Sequence, residues 1–320
     1  MPTPLAILRA DPRTAAWLAA LEADGPPDVE IVLPTLETLL DLAVPHEDVN
    51  PLLALAGDLR ADPELWWLLR RCVQRLVRGI GAIDDPFELP LLPDELGALG
   101  RYFHAYVFIA ALPYVRAYHR ERDISAEVSR RTLADLGRNL AVHRRRHGVG
   151  GVLHTGWLKL HFRGEVYQLG RLQFQRVTLG SRMGAAASLG PGAPALSLHI
   201  PDFSGPLTPA ACDDSLARAR AFFPRHFPEE PYTVAICHSW LLDPQLADHL
   251  PDSSNIVGFQ RRFRPGYRDE HASDGPIEFV FGDPALPVDA LTPRTTLEHA
   301  IVDHLRAGGH WHTGNGWFPL

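Results

Sequence analysis

LSLHIPDFSGPLTPAACDDSLARARAFF, running from Leu196 to Phe223, carries three local instructions in succession. Alternating apolar residues from Ala195 to Ile200 predict a strand, and Pro201 stops it. A turn follows with Ser204 and Gly205. Thr208 then supplies a side-chain cap, and Pro209 occupies the first turn of a helix predicted to reach Phe223. The free N–H groups and dipole at such a helix start favour an anionic phosphate. Gly205 lets the backbone approach a ligand closely, and the Ser204 and Thr208 hydroxyls offer further contacts. A strand, a turn and a capped helix form a common unit, so its meaning depends on its neighbours.

Downstream, Tyr232 to His238 reads as a strand and Asp243 to Leu250 as a short helix. Asn255 to Phe263 and Ile277 to Phe281 read as further strands, and Thr295 to Ala307 as a last helix before the tail GGHWHTGNGWFPL. Upstream, LHTGWLKLHF (Leu153 to Phe162), a turn at Arg163-Gly164 and EVYQLGRLQFQRVT (Glu165 to Thr178) form a strong hairpin signal. The Gly/Ala-rich stretch from Gly180 to Pro194 reads as a loop.

Before residue 150 the apolar period is helical. Short helices are predicted over Thr14 to Leu21 and Pro34 to Leu42. Pro63 to Arg78 places Leu65, Leu68, Leu69, Cys72 and Leu76 on one face, behind an Asp62 cap. A proline-rich connector from Asp84 to Pro93 leads to an almost wholly apolar helix, Leu99 to Arg116, with a kink expected at Pro113. Ser125 opens a helix to about Arg146, ended by Gly148, Gly150 and Gly151. The expected fold class is therefore α+β: an all-helical N-terminal domain, residues 1–148, and a mixed-sheet C-terminal domain, residues 149–320.

Composition narrows the function. The net charge is −7 and the pI near 6.1, without the basic field that a nucleic-acid binder presents. The one basic cluster, His143 to His147, ends a predicted helix, where cations suit the dipole. Cys72, Cys212 and Cys237 are odd in number and far apart, which indicates neither a disulfide framework nor a zinc site and fits a reducing cytoplasm. The start lacks the pattern of a signal peptide. The apolar run Ala105 to Pro113 falls far short of the ~20 residues that span a bilayer, so no membrane partner is expected. His299, His304, His310 and His312 lack a carboxylate or cysteine at ligand spacing, so no metal is expected.

The order hairpin, strand, helix, strand, helix, strand, strand resembles the core of the GNAT acyltransferase superfamily. GRLQFQ (Gly170 to Gln175), CHSWLLDPQL (Cys237 to Leu246), SNIVGFQRRF (Ser254 to Phe263) and TTLEHAIVDHLRAGGHW (Thr295 to Trp311) are similar to a bacterial two-domain acyltransferase family. Its members join a helical N-acyltransferase N-terminal domain to a GNAT-like C-terminal domain. The resemblance implies an enzyme that moves an acyl group from acyl-CoA, or from an acyl carrier protein, to a small-molecule or peptide amine.

It also implies that the donor lies between two splayed strands, with its pyrophosphate at the helix opening at Thr208. Ile200, Ser204, Gly205, Leu207 and Thr208 are the implied coenzyme A contacts. The superfamily's glycine fingerprint is missing from this turn. Arg182-Met183-Gly184-Ala185-Ala186 comes close but is one residue out of register and precedes the strand.

Acyl transfer needs a base for the ammonium proton, an acid for the leaving thiolate and donors for the oxyanion. His199, at the end of the first splayed strand, is the candidate base. His238 and Ser239, at the end of the second, are candidates for acid or proton relay. A strand-end histidine in a chain with 16 histidines is also an ordinary structural side chain. The alternative reading is an inactive GNAT-like acyl-CoA-binding or regulatory module. A Ser239 hydrolase ranks lower, because the Gly-x-Ser-x-Gly elbow is absent.

Overall fold

The computed structural model describes residues 2–83, 85–269 and 274–320. Two compact units divide after Tyr167. The first contains helices α1 (Pro4–Ala10), α2 (Pro12–Ala23), α3 (Leu36–Asp41), α4 (His46–Ala61), α5 (Pro63–Arg78), α6 (Gly97–Glu121), α7 (Ala126–Leu133), α8 (Asp135–His147) and α9 (Thr155–Phe162).

Local chemistry explains their ends. The Asp62 carboxylate accepts hydrogen bonds from the N–H groups of Glu64 and Leu65, both at 2.9 Å, ahead of Pro63. Ser125 caps α7, and Gly148, at φ 71°, closes α8. α6 is buried almost all round from Tyr102 to Leu112 and continues past Pro113 to Glu121. The connector predicted from Asp84 starts outside the described residues and is irregular from Asp85 to Pro93.

Two expectations in this unit are corrected. The helix predicted from Ser125 to Arg146 is broken at Ala134 into α7 and α8. The strand predicted over Leu153 to Phe162 is the helix α9. Its buried Thr155, Leu158 and Phe162 recur at spacings of three and four, which is a helical stripe.

The second unit carries a six-stranded mixed sheet in the order β1-β2-β3-β4-β6-β5. The strands are β1 (Val166–Leu169), β2 (Leu172–Thr178), β3 (Pro194–His199), β4 (Val234–Ser239), β5 (Arg264–Asp269) and β6 (Thr313–Pro319). β3 and β4 are parallel, while the β2–β3, β4–β6 and β5–β6 pairs are antiparallel. The helices are α10 (Ser181–Ala186), α11 (Pro209–His226), α12 (Leu246–His249), α13 (Asn255–Gln260), α14 (Asp274–Phe281) and α15 (Thr296–Arg306).

The predicted hairpin lies wholly inside Glu165 to Thr178, turning at Gly170-Arg171. The predicted loop from Gly180 to Pro194 contains α10, so the near-match to the fingerprint sits on a helix, with Arg182 over the Tyr267 ring. The strands expected at Asn255 to Phe263 and Ile277 to Phe281 are the helices α13 and α14. Ser254 caps α13 by accepting the Ile256 N–H at 3.3 Å.

The tail after the last helix supplies β6, an interior strand. Its glycines answer close approach. A Cβ at Gly314 would come within 2.5 Å of the Leu242 carbonyl oxygen, and one at Gly316 within 2.8 Å of Phe263 Cβ. β5 (RPGYRD) lies at the edge, where Pro265 and a bulge at Pro265/Tyr267 are tolerated.

Candidate active site

The β3–β4 ladder is short. Leu196 pairs with Ala235 and Ser197 with Ile236, and there the register ends. Both strands run on beyond this register, to His199 and to Ser239. The backbone edges of Leu198–His199 and Cys237–Ser239 thus face a split in the sheet. An amide-bearing chain such as a pantetheine arm can complete such edges.

Strand alternation sorts the side chains around the split. Ser197 and Ile236 share a face, so His199 and His238, two residues further on, share it too. Leu198, Cys237 and Ser239 take the opposite face. The neighbouring strands add an amide to each imidazole. His199 Nε2 lies 2.9 Å from Gln175 Oε1 on β2, and His238 Nδ1 lies 2.7 Å from Asn315 Oδ1 on β6. With the amide oxygens accepting, His199 donates through Nε2 and His238 through Nδ1, which fixes how each ring is oriented. His199 is half-buried and His238 exposed.

Ser239 is placed differently. Its hydroxyl accepts the Leu241 N–H at 3.1 Å and caps the short 3-10 turn Trp240–Leu242. Cys237 is fully buried, which pushes its thiol up to about 12 and keeps it protonated. The structure therefore brings His199 and His238 to one face of the split and turns Ser239 away.

Beyond β3 the chain forms the loop that starts α11. Ile200 and Ser204 are half-buried, Leu207 is buried, and Gly205 sits at φ 79° with open space where a Cβ would point. Thr208 Oγ1 caps the helix by accepting the Ala211 N–H at 3.3 Å. No acidic residue lies in the first turn of α11. Arg262, after α13, pairs with Asp213 at 2.6 Å and donates to the Pro209 carbonyl at 3.2 Å, which ties it to the first turns of α11.

A cavity of about 330 Å³ shares Asn315 with this site; Leu242, Pro244, Phe263, Gly266 and Tyr267 supply much of its mostly apolar wall. Asn315 and Gln175 escaped sequence reasoning as imidazole partners. Gln175 lay in view within GRLQFQ, but nothing local marked Asn315, which the sheet alone brings beside His238. Among the described residues, no group of three or more His, Cys, Asp or Glu side chains is arranged to hold a metal ion. No helix among them is long and apolar enough to cross a membrane.

The family described as N-acyltransferase N-terminal domain matches residues 34–164, and that described as GNAT-like C-terminal domain matches residues 166–318. The chain is similar to the crystal structure of an acyltransferase in complex with decanoyl-CoA and teicoplanin, at 42% identity over 100% of both chains and TM-score 0.90. A structure of acyltransferase in complex with CoA and 10C-Teicoplanin is similar at 42% identity, 100% of both chains and TM-score 0.91. A tryptophan-to-alanine acyltransferase mutant in complex with octanoyl-CoA is similar at 43% identity, 98% of this chain, 97% of that one and TM-score 0.89. Comparison with curated proteins gives no match.

Proposed function

Because the chain belongs to the family that joins an N-acyltransferase N-terminal domain to a GNAT-like C-terminal domain, we propose that it transfers a medium-length fatty acyl group from coenzyme A to an amine of a glycopeptide. The chain is an acyltransferase that uses acyl-CoA and an amine acceptor. The acyl length and the glycopeptide are the proposal, supported by similar enzymes whose complexes contain decanoyl-CoA and teicoplanin. Coenzyme A is favoured over an acyl carrier protein because those complexes contain coenzyme A or its decanoyl thioester. We place the reaction in a bacterial cytoplasm; three unpaired, buried cysteines fit a reducing compartment.

The short β3–β4 ladder carries the mechanistic reading. In our scheme the pantetheine amides bond to the open strand edges and the diphosphate sits at Ile200, Ser204, Gly205, Leu207 and Thr208. The acyl tail occupies the cavity beside Asn315. His199 takes the proton from the acceptor ammonium. The free amine attacks the thioester carbon, a C–N bond forms, and backbone N–H groups at the β3 edge hold the oxyanion. The C–S bond then breaks; the new amide nitrogen gives up its second proton, which His238 relays to the leaving thiolate, giving amide and coenzyme A. Ser239 holds the turn beyond His238.

Incubation with decanoyl-CoA and teicoplanin, or an amine-bearing teicoplanin precursor, tests this reading. Stoichiometric thiol release and a mass gain of one decanoyl group are expected. Binding of decanoyl-CoA without thiol release across a broad amine panel would restore the inactive-module alternative.

A further inference from the structure

The β1–β2 turn is fastened to the start of α11. Ser215 Oγ accepts the backbone N–H groups of Arg171 at 2.7 Å and Leu172 at 3.2 Å, and donates to the Ala211 carbonyl at 2.9 Å. Gly170 permits this approach: it sits at φ 73°, and a Cβ there would lie 2.7 Å from Ser215 Oγ. Arg171 is consequently only 9% exposed. Its Nε and Nη1 have no hydrogen-bond partner. Its electrostatic neighbours are Cys212, in the first turn of α11, and Asp202, in the loop between β3 and α11.

A buried guanidinium with unmet donors is costly, and native proteins keep few such groups. The helix start has a complementary deficit. Pro209 has no N–H, and Thr208 already occupies the Ala211 N–H. This leaves fewer inward donors than an ordinary helix opening offers, and the glycine fingerprint that would add more is absent. Asp202 is acidic but exposed, and Arg262 is committed to Asp213.

We infer that Arg171 is a phosphate-binding residue, whose buried guanidinium takes the diphosphate of acyl-CoA at the start of α11. The basic group thus comes from a β-turn rather than from the helix loop. This rests on the reading of the chain as an acyl-CoA-dependent enzyme.

The test compares decanoyl-CoA, decanoyl-dephospho-CoA and decanoyl-pantetheine as donors for the wild type, Arg171→Met and Arg171→Lys. For Arg171→Met, KM should rise about 10- to 100-fold with the two diphosphate donors, the worth of a charged hydrogen-bond pair. With decanoyl-pantetheine, wild type and variant should agree within about twofold. Arg171→Lys should fall between, keeping the charge but losing the fork.

The ligand-free Arg171→Met protein should melt no lower than wild type, because an unpaired buried charge has been replaced by an apolar chain of similar length. Equal losses with all three donors together with a lowered melting temperature would give Arg171 a structural role and overturn the inference. An effect confined to decanoyl-CoA would assign Arg171 to the 3′-phosphate and also overturn it. A wild type that fails to prefer diphosphate donors over decanoyl-pantetheine would instead refute the donor site itself.

Discussion

The two imidazoles at the split differ in which nitrogen meets a neighbouring amide, and each ring is oriented by that contact. His199 donates through Nε2 to Gln175 on β2, and His238, on an exposed ring, donates through Nδ1 to Asn315 on β6. If His199 is the base, His199→Ala should lower kcat by about 10²- to 10⁴-fold, the usual worth of general base catalysis, with KM for decanoyl-CoA little changed. Gln175→Leu should lower kcat less, because the ring loses its orientation but keeps its nitrogen. Steady-state kinetics with both substrates varied would decide. A His199→Ala enzyme within about threefold of wild type would move the base to His238. Ser239→Ala separates chemistry from capping: its hydroxyl already serves the Leu241 N–H. The substitution should cost about 1 kcal/mol of stability while kcat stays nearly unchanged.

At the level of elements, the split depends on what holds β2 and β4 in place on either side of β3. Arg176, 1% exposed on β2, reaches Glu230 and Tyr232 in the segment before β4 and lies 4.2 Å from the Phe227 ring centroid. Burial alone would raise the Glu230 carboxyl, but the hydrogen bonds from Arg176 and Tyr232 outweigh it and hold the group below its ordinary 4.5. A depressed carboxyl stabilises the fold above its unfolded pKa, and that contribution disappears as pH falls through the folded value. Glu230→Ala should therefore cost about 1–3 kcal/mol near neutral pH by removing the charged hydrogen-bond partner of a buried cation. The penalty should shrink as the solution is acidified below the ordinary carboxylate range. Urea unfolding of both proteins across that range is the measurement; a pH-independent difference would refute the coupling. These long-range pairings were invisible in the sequence, whereas β3, α11 and β4 were legible, because alternation, a Thr-Pro helix start and a second alternating run are local signals. Elements were misread where local and tertiary signals conflict. The apolar run of α9 fits a strand as readily as a helix, and the glycines of β6, which look like a loop, are needed where Leu242 and Phe263 press on the strand.

For the molecule as a whole, a chain of net charge −7 must bind a donor that is itself strongly anionic. Long-range attraction therefore cannot supply the affinity; it has to come from the short-range field at the α11 start and from burial of the acyl tail. Ligand linkage can weigh these two terms separately. Decanoyl-CoA at 100 times its Kd should stabilise the protein by about 2.7 kcal/mol, a shift of about 5–10 °C for a cooperative unit of this size. Coenzyme A alone reports the phosphate contribution. Each added methylene that is buried contributes about 0.8 kcal/mol, so decanoyl-CoA should bind roughly tenfold tighter than octanoyl-CoA if both extra methylenes enter the cavity beside Asn315. Filling that cavity with Leu242→Trp should erase the advantage of the longer chain while leaving the shift caused by coenzyme A intact. If the variant keeps the full decanoyl preference, the tail lies elsewhere; if coenzyme A alone gives no shift in the wild type, the helix start is not where the donor is held.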